Sequence, residues 1–215
     1  MIITSDEILA FYLGGATDDP IAMRTCVERW FSIDPELDEI VRRRYLEAID
    51  AALTGAFDHW QVTARGALAL ILLLDQLPRN AYRGSGKAFA GDARARAVAH
   101  YGIECSYPDL VPIVPSVFFF MPFEHAEDVG LQQKCARGYE MIHARAPQAF
   151  KPNVAAFVQA GREHAAVVKR FGRFPHRNAL LGRESTEEEL AWLAENRNAW
   201  GQGAADLEDA GLTSG

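Results

Sequence analysis

Three short stretches set charged and amide side chains directly beside strongly apolar ones: Leu74–Asn80 (LDQLPRN), Met121–Asp128 (MPFEHAED) and Phe171–Asn178 (FGRFPHRN). The first and third echo each other, each ending an apolar helix with proline followed by Arg-Asn. In the first, Asp75 and Gln76 directly follow an apolar run, and a buried carboxylate costs several kcal/mol unless a cation meets it or its pKa rises. Arg79, Arg173 and Arg177 are the candidate cations. In the second, Glu124 with Asp128 and His125 with Asp128 have the spacing that shares one helical face, the arrangement of an acid–base pair or of metal ligands. The third lies in a basic run. From Lys169 to Arg183 there are Lys169, Arg170, Arg173, His176, Arg177 and Arg183 with no acid between them, and His164 lies on the preceding helix. Guanidinium, imidazole and amide groups in a connector suit a carboxylate or phosphate ligand.

Each stretch also has a purely architectural reading. Arginine near a helix C-terminus bonds orphan carbonyls and favours the dipole. Acids just behind an N1 proline stabilise a helix start. The basic run could be an internal hub pairing Asp75, Glu124 and Asp128. One helix offers too few ligands for a closed metal site and no second Glu-x-x-His appears, so no metal or other cofactor is expected. GxGxxG, Walker A, GxSxG, HExxH and CxxC are absent, and Gly84–Lys87 (GSGK) reads as a turn because no strand precedes it.

The elements that must position these groups follow from a helical apolar period. Thr4 with Glu7 makes a capping box, and Asp19-Pro20 and Asp34-Pro35 each pair an N-cap with an N1 proline. Behind Asp34, Leu37 to Leu53 keep i, i+3/i+4 spacing up to Gly55. Ala67–Leu74 (ALALILLL) is apolar all round, so it reads as a buried central helix that Pro78 ends. Further helices are expected over about 86–101, closed by Gly102, from Pro122 to about Arg145, and along the stripe Val154, Phe157, Val158, Gly161, Ala165, Val168 and Phe171 up to Gly172. A short turn is expected at Pro115–Phe120. Ser185/Glu188 and Thr186/Glu189 are alternative boxes for a last helix carrying Leu190, Leu193 and Trp200. The sum is an all-α chain of about eight helices in antiparallel hairpins. A single domain over 1–200 is expected, with residues 201–215 a flexible, Gly-rich acidic tail.

The 215 residues are 49% hydrophobic and 24% charged, enough to build a core without disulfide or metal. A net charge of -7 and a pI of about 5.4 argue against general nucleic-acid or anionic-membrane binding. Cys26, Cys105 and Cys135 form no CxxC pair and read as free thiols of a reducing compartment. The opening MIITSDEIL lacks a basic n-region, and the longest apolar run is far short of the about 20 residues a spanning helix needs, so a cytoplasmic protein is expected.

The segments ILAFYLGG, WFSIDPELDEIVRRRY, GALALILLLDQLPRNAYRGSGKAFAGD, FFFMPFEHAEDVGLQ and HAAVVKRFGRFPHRNALLGRESTEEELAWL resemble the bacterial domain-of-unknown-function 924 family over about residues 8 to 195. Tyr12 stands where that family usually has Trp. The resemblance implies an all-α fold related to tetratricopeptide-like hairpins, a helical solenoid or bundle, and no particular activity. Its motif positions here are Asp75, Gln76, Pro78, Arg79, Asn80, Glu124, His125, Asp128, Arg173, His176, Arg177, Asn178 and Glu184.

Three functions fit these residues. One is binding of a peptide or small anion through Asp75, Gln76, Arg79, Asn80, Arg173, His176, Arg177 and Asn178. Another is acid–base catalysis by His125 or His176, oriented by Glu124 or Asp128. The last is an internal polar network with no ligand. Oligomeric state is not readable from the sequence.

Overall fold

A computed structural model describes residues 3–14, 17–196, 200 and 201. Among these there are helices and turns and no strand. No described helix is long and apolar enough to cross a membrane. The acidic tail expected over 201–215 lies, beyond Gly201, outside the described residues.

The local start signals act as the sequence suggests. Helix α1 (Ser5–Leu13) opens on the reciprocal Thr4–Glu7 box and stops at Gly14, whose φ is 67°. Asp19 caps α2 (Pro20–Trp30) and Asp34 caps α3 (Pro35–Leu53), each accepting two backbone N–H bonds ahead of a proline.

The apolar run forms the centre. α4 (Ala64–Ile71), a π turn (Leu72–Gln76) and α5 (Leu77–Ala81) follow one another, and Ala67 to Leu74 are each at most 1% exposed. Pro78 does not end the helix. A proline in a regular helix lacks its N–H and crowds the carbonyl four residues back. Here the preceding turn widens, with the Leu77 N–H reaching Leu72 O, and the chain continues. The Leu74 carbonyl, which an ordinary residue at 78 would have met, is approached instead by the backbone of Gly91: a Cβ there would lie 2.0 Å from that oxygen. Gly91 directly precedes Asp92, the first residue of α6 (Asp92–Glu104). The widened turn and this close approach bring Asp75, Arg79 and Asp92 together. Gly91→Ala is therefore expected to cost about 3 kcal/mol in chemical denaturation, since the obstructing atom is backbone.

Other expectations are corrected. The helix expected over 86–101 is a short 3₁₀ turn (Gly86–Phe89) followed by α6, which runs past Gly102. Gly102 is there for space, because a Cβ would meet the Phe119 ring at 2.6 Å. Pro115–Phe119 forms the expected short turn. The long helix from Pro122 is two, α7 (Met121–Glu124) and α8 (Val129–Arg145). Asp128 adopts extended backbone and caps α8 by accepting from Leu131 N. Gln132 donates to the Glu124 and Ala126 carbonyls that end α7. α8 packs along α9 (Lys151–Phe171), which stops at Gly172, and α2 packs on α9 as well. Thr186 and Glu189 make the box of α10 (Glu187–Glu195); Leu190 is 56% exposed, Glu189 is buried in its place, and Trp200 lies after the helix. The main core joins residues of α1 to α9, and a smaller cluster of Val167, Val168 and Phe174 packs with Phe171, Trp192 and Trp200.

Candidate functional site

Asp75 sits at the widened turn with no solvent exposure. Its Oδ1 is 2.8 Å from His125 Nδ1 and 3.4 Å from an Arg79 nitrogen, and Gln76 donates to its Oδ2. Burial alone would raise its pKa. The charge of Arg79 and the hydrogen bonds from His125 and Gln76 outweigh burial and hold the carboxyl well below its usual range. An ionised carboxylate only accepts, so His125 Nδ1 carries the proton and Nε2 is left as the basic nitrogen. Burial, reinforced by Arg79, keeps this imidazole neutral by lowering its pKa.

A second pair faces it. His164 Nδ1 lies 3.0 Å from Glu124 Oε1 and 2.9 Å from the Ala160 carbonyl, two acceptors that assign Nδ1 the proton. Glu124 also accepts a 2.5 Å bond from the Tyr139 hydroxyl. Its pKa is lowered: burial acts to raise it, but His164 prevails. The His125 and His164 ring centres are 6.2 Å apart.

Arg79 and Arg177 meet at Asp92. Arg79 donates to both Asp92 oxygens at 3.0 and 3.3 Å, while Arg177 lies 3.5 Å from one of them. The Arg177 guanidinium is sandwiched between the Phe89 and Phe174 rings, 4.5 Å from each centroid, and donates to the His125 carbonyl at 3.0 Å. Its Nε is buried without a hydrogen-bond partner. Burial, against the pull of Asp92 and with repulsion from Arg79, pushes its pKa down to about 10. The neighbouring His176 is also buried, and its Nδ1 too lacks a partner. Burial and Arg177 push its pKa well down.

These groups line one cavity of about 140 Å³. Arg79, Arg83, Arg177 and the imidazoles of His125, His164 and His176 form its polar wall. Trp30, Phe31 and Met121 form much of the rest, with Trp200 stacked against His164 at 3.9 Å between ring centres. Among the described residues, no three His, Cys, Asp or Glu side chains converge as metal ligands would.

Of the residues singled out in the sequence, Gln76, Arg79, Asn80, Glu124, His125, His164, His176 and Arg177 line this cavity, and Asp75 lies directly behind it. Arg173, Asn178 and Asp128 do not. Arg173 forms a two-pronged pair with Glu189 at 2.7 and 2.8 Å, and Asn178 donates to Ser185 and Glu189. Asp128 is exposed and spent on its cap, so it shares no helical face with Glu124 or His125. The orienting acid of His125 is Asp75, not Glu124 or Asp128. Sequence reasoning did not single out Asp92 or Arg83, and it marked Tyr12 only as a departure from the family's usual Trp. Arg83 pairs with Asp38, which also accepts from Asn80, and the Tyr12 hydroxyl donates to Gln76. The available signal was an unexplained Asp behind a glycine, Gly91-Asp92.

The two depressed imidazoles have a measurable consequence. As pH falls below about 6.5, the unfolded chain protonates His125 and His176 while the folded chain resists. Stability is thus expected to decline from about pH 7 to pH 5 in thermal melts, and His176→Phe to flatten that slope. Asp75 and Glu124, held low in the fold, add a second loss below about pH 4.

No curated protein matches the chain. A solved structure of a protein of unknown function, ATU0120 from Agrobacterium tumefaciens, is similar: 34% identical, TM-score 0.72, with 89% of this chain and 97% of that one covered. Residues 8–197 match the family described as bacterial protein of unknown function, DUF924. The chain, sharing both the fold of that relative and the family's motif segments, belongs to DUF924.

Proposed function

We propose that the cavity binds a small organic anion, a carboxylate or a phosphate, against Arg177 and His176. The observation that carries this is a hydrogen-bonding deficit in two residues that line the cavity: Arg177 Nε and His176 Nδ1 are both buried and unmatched. Buried polar groups are nearly always satisfied, so such a deficit calls for an explanation. An anion supplies acceptors and also balances a guanidinium whose acid, Asp92, is shared with a closer arginine. The volume favours a small acid over a peptide segment, because a dry cavity of about 150 Å³ holds benzene, about six heavy atoms.

A panel of acetate, malonate, α-ketobutyrate and inorganic phosphate in thermal melts tests the reading, with uncharged malonamide as control. Ligand at about 100 times its Kd stabilises by about 2.7 kcal/mol, about 5 °C or more for a chain of this size. An upward shift with at least one anion and none with malonamide is expected. No shift with any anion, or an equal shift with malonamide, overturns it.

An internal network without ligand has one observation in its favour: Asp75, Arg79 and Asp92 satisfy one another. Arg177 and His176 are what that reading leaves unexplained.

A further inference from the structure

We propose that this cavity is also catalytic, moving a proton on a small oxo acid with His125 and His164 as the acid–base pair. The inference rests on the anion-binding reading and extends it to a reaction class. Its basis is the doubled carboxylate–imidazole arrangement: Asp75 fixes His125 Nδ1 at 2.8 Å, and Glu124 fixes His164 Nδ1 at 3.0 Å. In each ring Nδ1 is committed to its carboxylate, so Nε2 is the nitrogen left for proton exchange. Both imidazoles line the same cavity as an edge-to-face pair with ring centres 6.2 Å apart, so a molecule bound in it borders both rings; proton transfer then needs it within hydrogen-bond reach of their Nε2 atoms.

The same wall disfavours covalent catalysis. Cys135 is sealed in the core with its thiol pushed up by burial, and the Ser32 hydroxyl at the cavity donates to the Arg29 carbonyl. Trp30, Phe31 and Met121 give the ligand's carbon skeleton an apolar surface that limits water. An imidazole is a weak base, so the proton must come from carbon acidified by an adjacent carbonyl. His125 Nε2 takes that proton. The C–H electron pair becomes the second bond between that carbon and the carbonyl carbon, and the carbonyl π pair moves to oxygen, giving an enolate whose charge faces the Arg177 guanidinium. Return of the proton from His125 Nε2 to the same carbon re-forms the keto acid; alternatively His164, having taken a proton from solvent at Nε2, gives it to the enolate oxygen to form the enol, and His125 releases its proton to solvent. No atom is lost and nothing is oxidised. His125 and His164 are the catalytic residues; Asp75 and Glu124 position them.

α-Ketobutyrate in heavy water is the probe. Its methylene protons exchange for deuterium only if they are removed and returned, which proton NMR follows without knowledge of the natural product. Wild-type protein is expected to accelerate exchange at least 10³-fold over buffer. His125→Asn should lower that rate about 100-fold or more while the probe still raises the melting temperature. His164→Asn serves as the second variant should the first fail to fold by circular dichroism. A probe that binds the wild type with no faster exchange overturns this inference alone, as does wild-type exchange in a folded variant. A probe that does not bind removes the anion-binding reading for oxo acids, and this inference with it.

Discussion

Asp92→Asn is expected to lower folding stability by about 3 to 5 kcal/mol, a drop of about 10 °C in melting temperature. Asp92 is buried at the start of α6 and faces two guanidiniums, Arg79 at 3.0 Å and Arg177 at 3.5 Å. Replacing its carboxylate by an amide keeps the shape but removes the negative charge that two buried cations share. One partner of a desolvated ion pair is worth far more to remove than the pair contributes net, because the remaining charge stays buried. Exposure decides the scale. Breaking Arg42–Glu39, whose side chains are 39% and 67% exposed, should cost less than about 1 kcal/mol. Urea denaturation followed by circular dichroism measures both. A loss at Asp92 no larger than that at Glu39 would mean the buried acid is not holding the cluster.

Arg177→Met should behave in the opposite way, leaving the melting temperature unchanged or raising it while abolishing the response to anions. The guanidinium is buried, poorly compensated and missing a partner at Nε. Methionine fits between the Phe89 and Phe174 rings that now sandwich it, and thioether–aromatic contacts are favourable. Replacing a buried ion by an apolar group of similar volume is often neutral or stabilising by about 1 to 4 kcal/mol. Residues kept for binding commonly sit at a stability cost. An internal hub predicts a fall like that at Asp92. The two variants therefore separate a site from a scaffold by the sign of one shift.

Local chemistry was the legible part of this fold. Thr4, Asp19, Asp34 and Thr186 cap helices because their oxygens meet amides two or three residues on, a distance the sequence displays directly. Pro78 misled because the remedy for its missing N–H lies in a widened turn before it and in Gly91 beyond it. Asp128 misled because a helical spacing and an N-cap look alike until the backbone chooses. The site was half legible. Asp75, Arg79, His125, His176 and Arg177 stand out as polar groups in apolar company, and they do meet. Their partners do not stand out. Asp92 lies 13 residues from Arg79 and 85 from Arg177, and Asp75 lies 50 from His125, separations that no helical period encodes. Arg173 and Asn178 share the basic run but turn to Glu189, whose burial in α10 breaks the expected apolar stripe.

Titration calorimetry of malonate into wild-type protein and Arg177→Met, side by side in one buffer, reads occupancy of the anion site directly. Saturable heat at one site per chain in the wild type, and none in the folded variant, is the predicted outcome. Equal heats in both proteins, or a flat trace in the wild type, would contradict an anion held by Arg177.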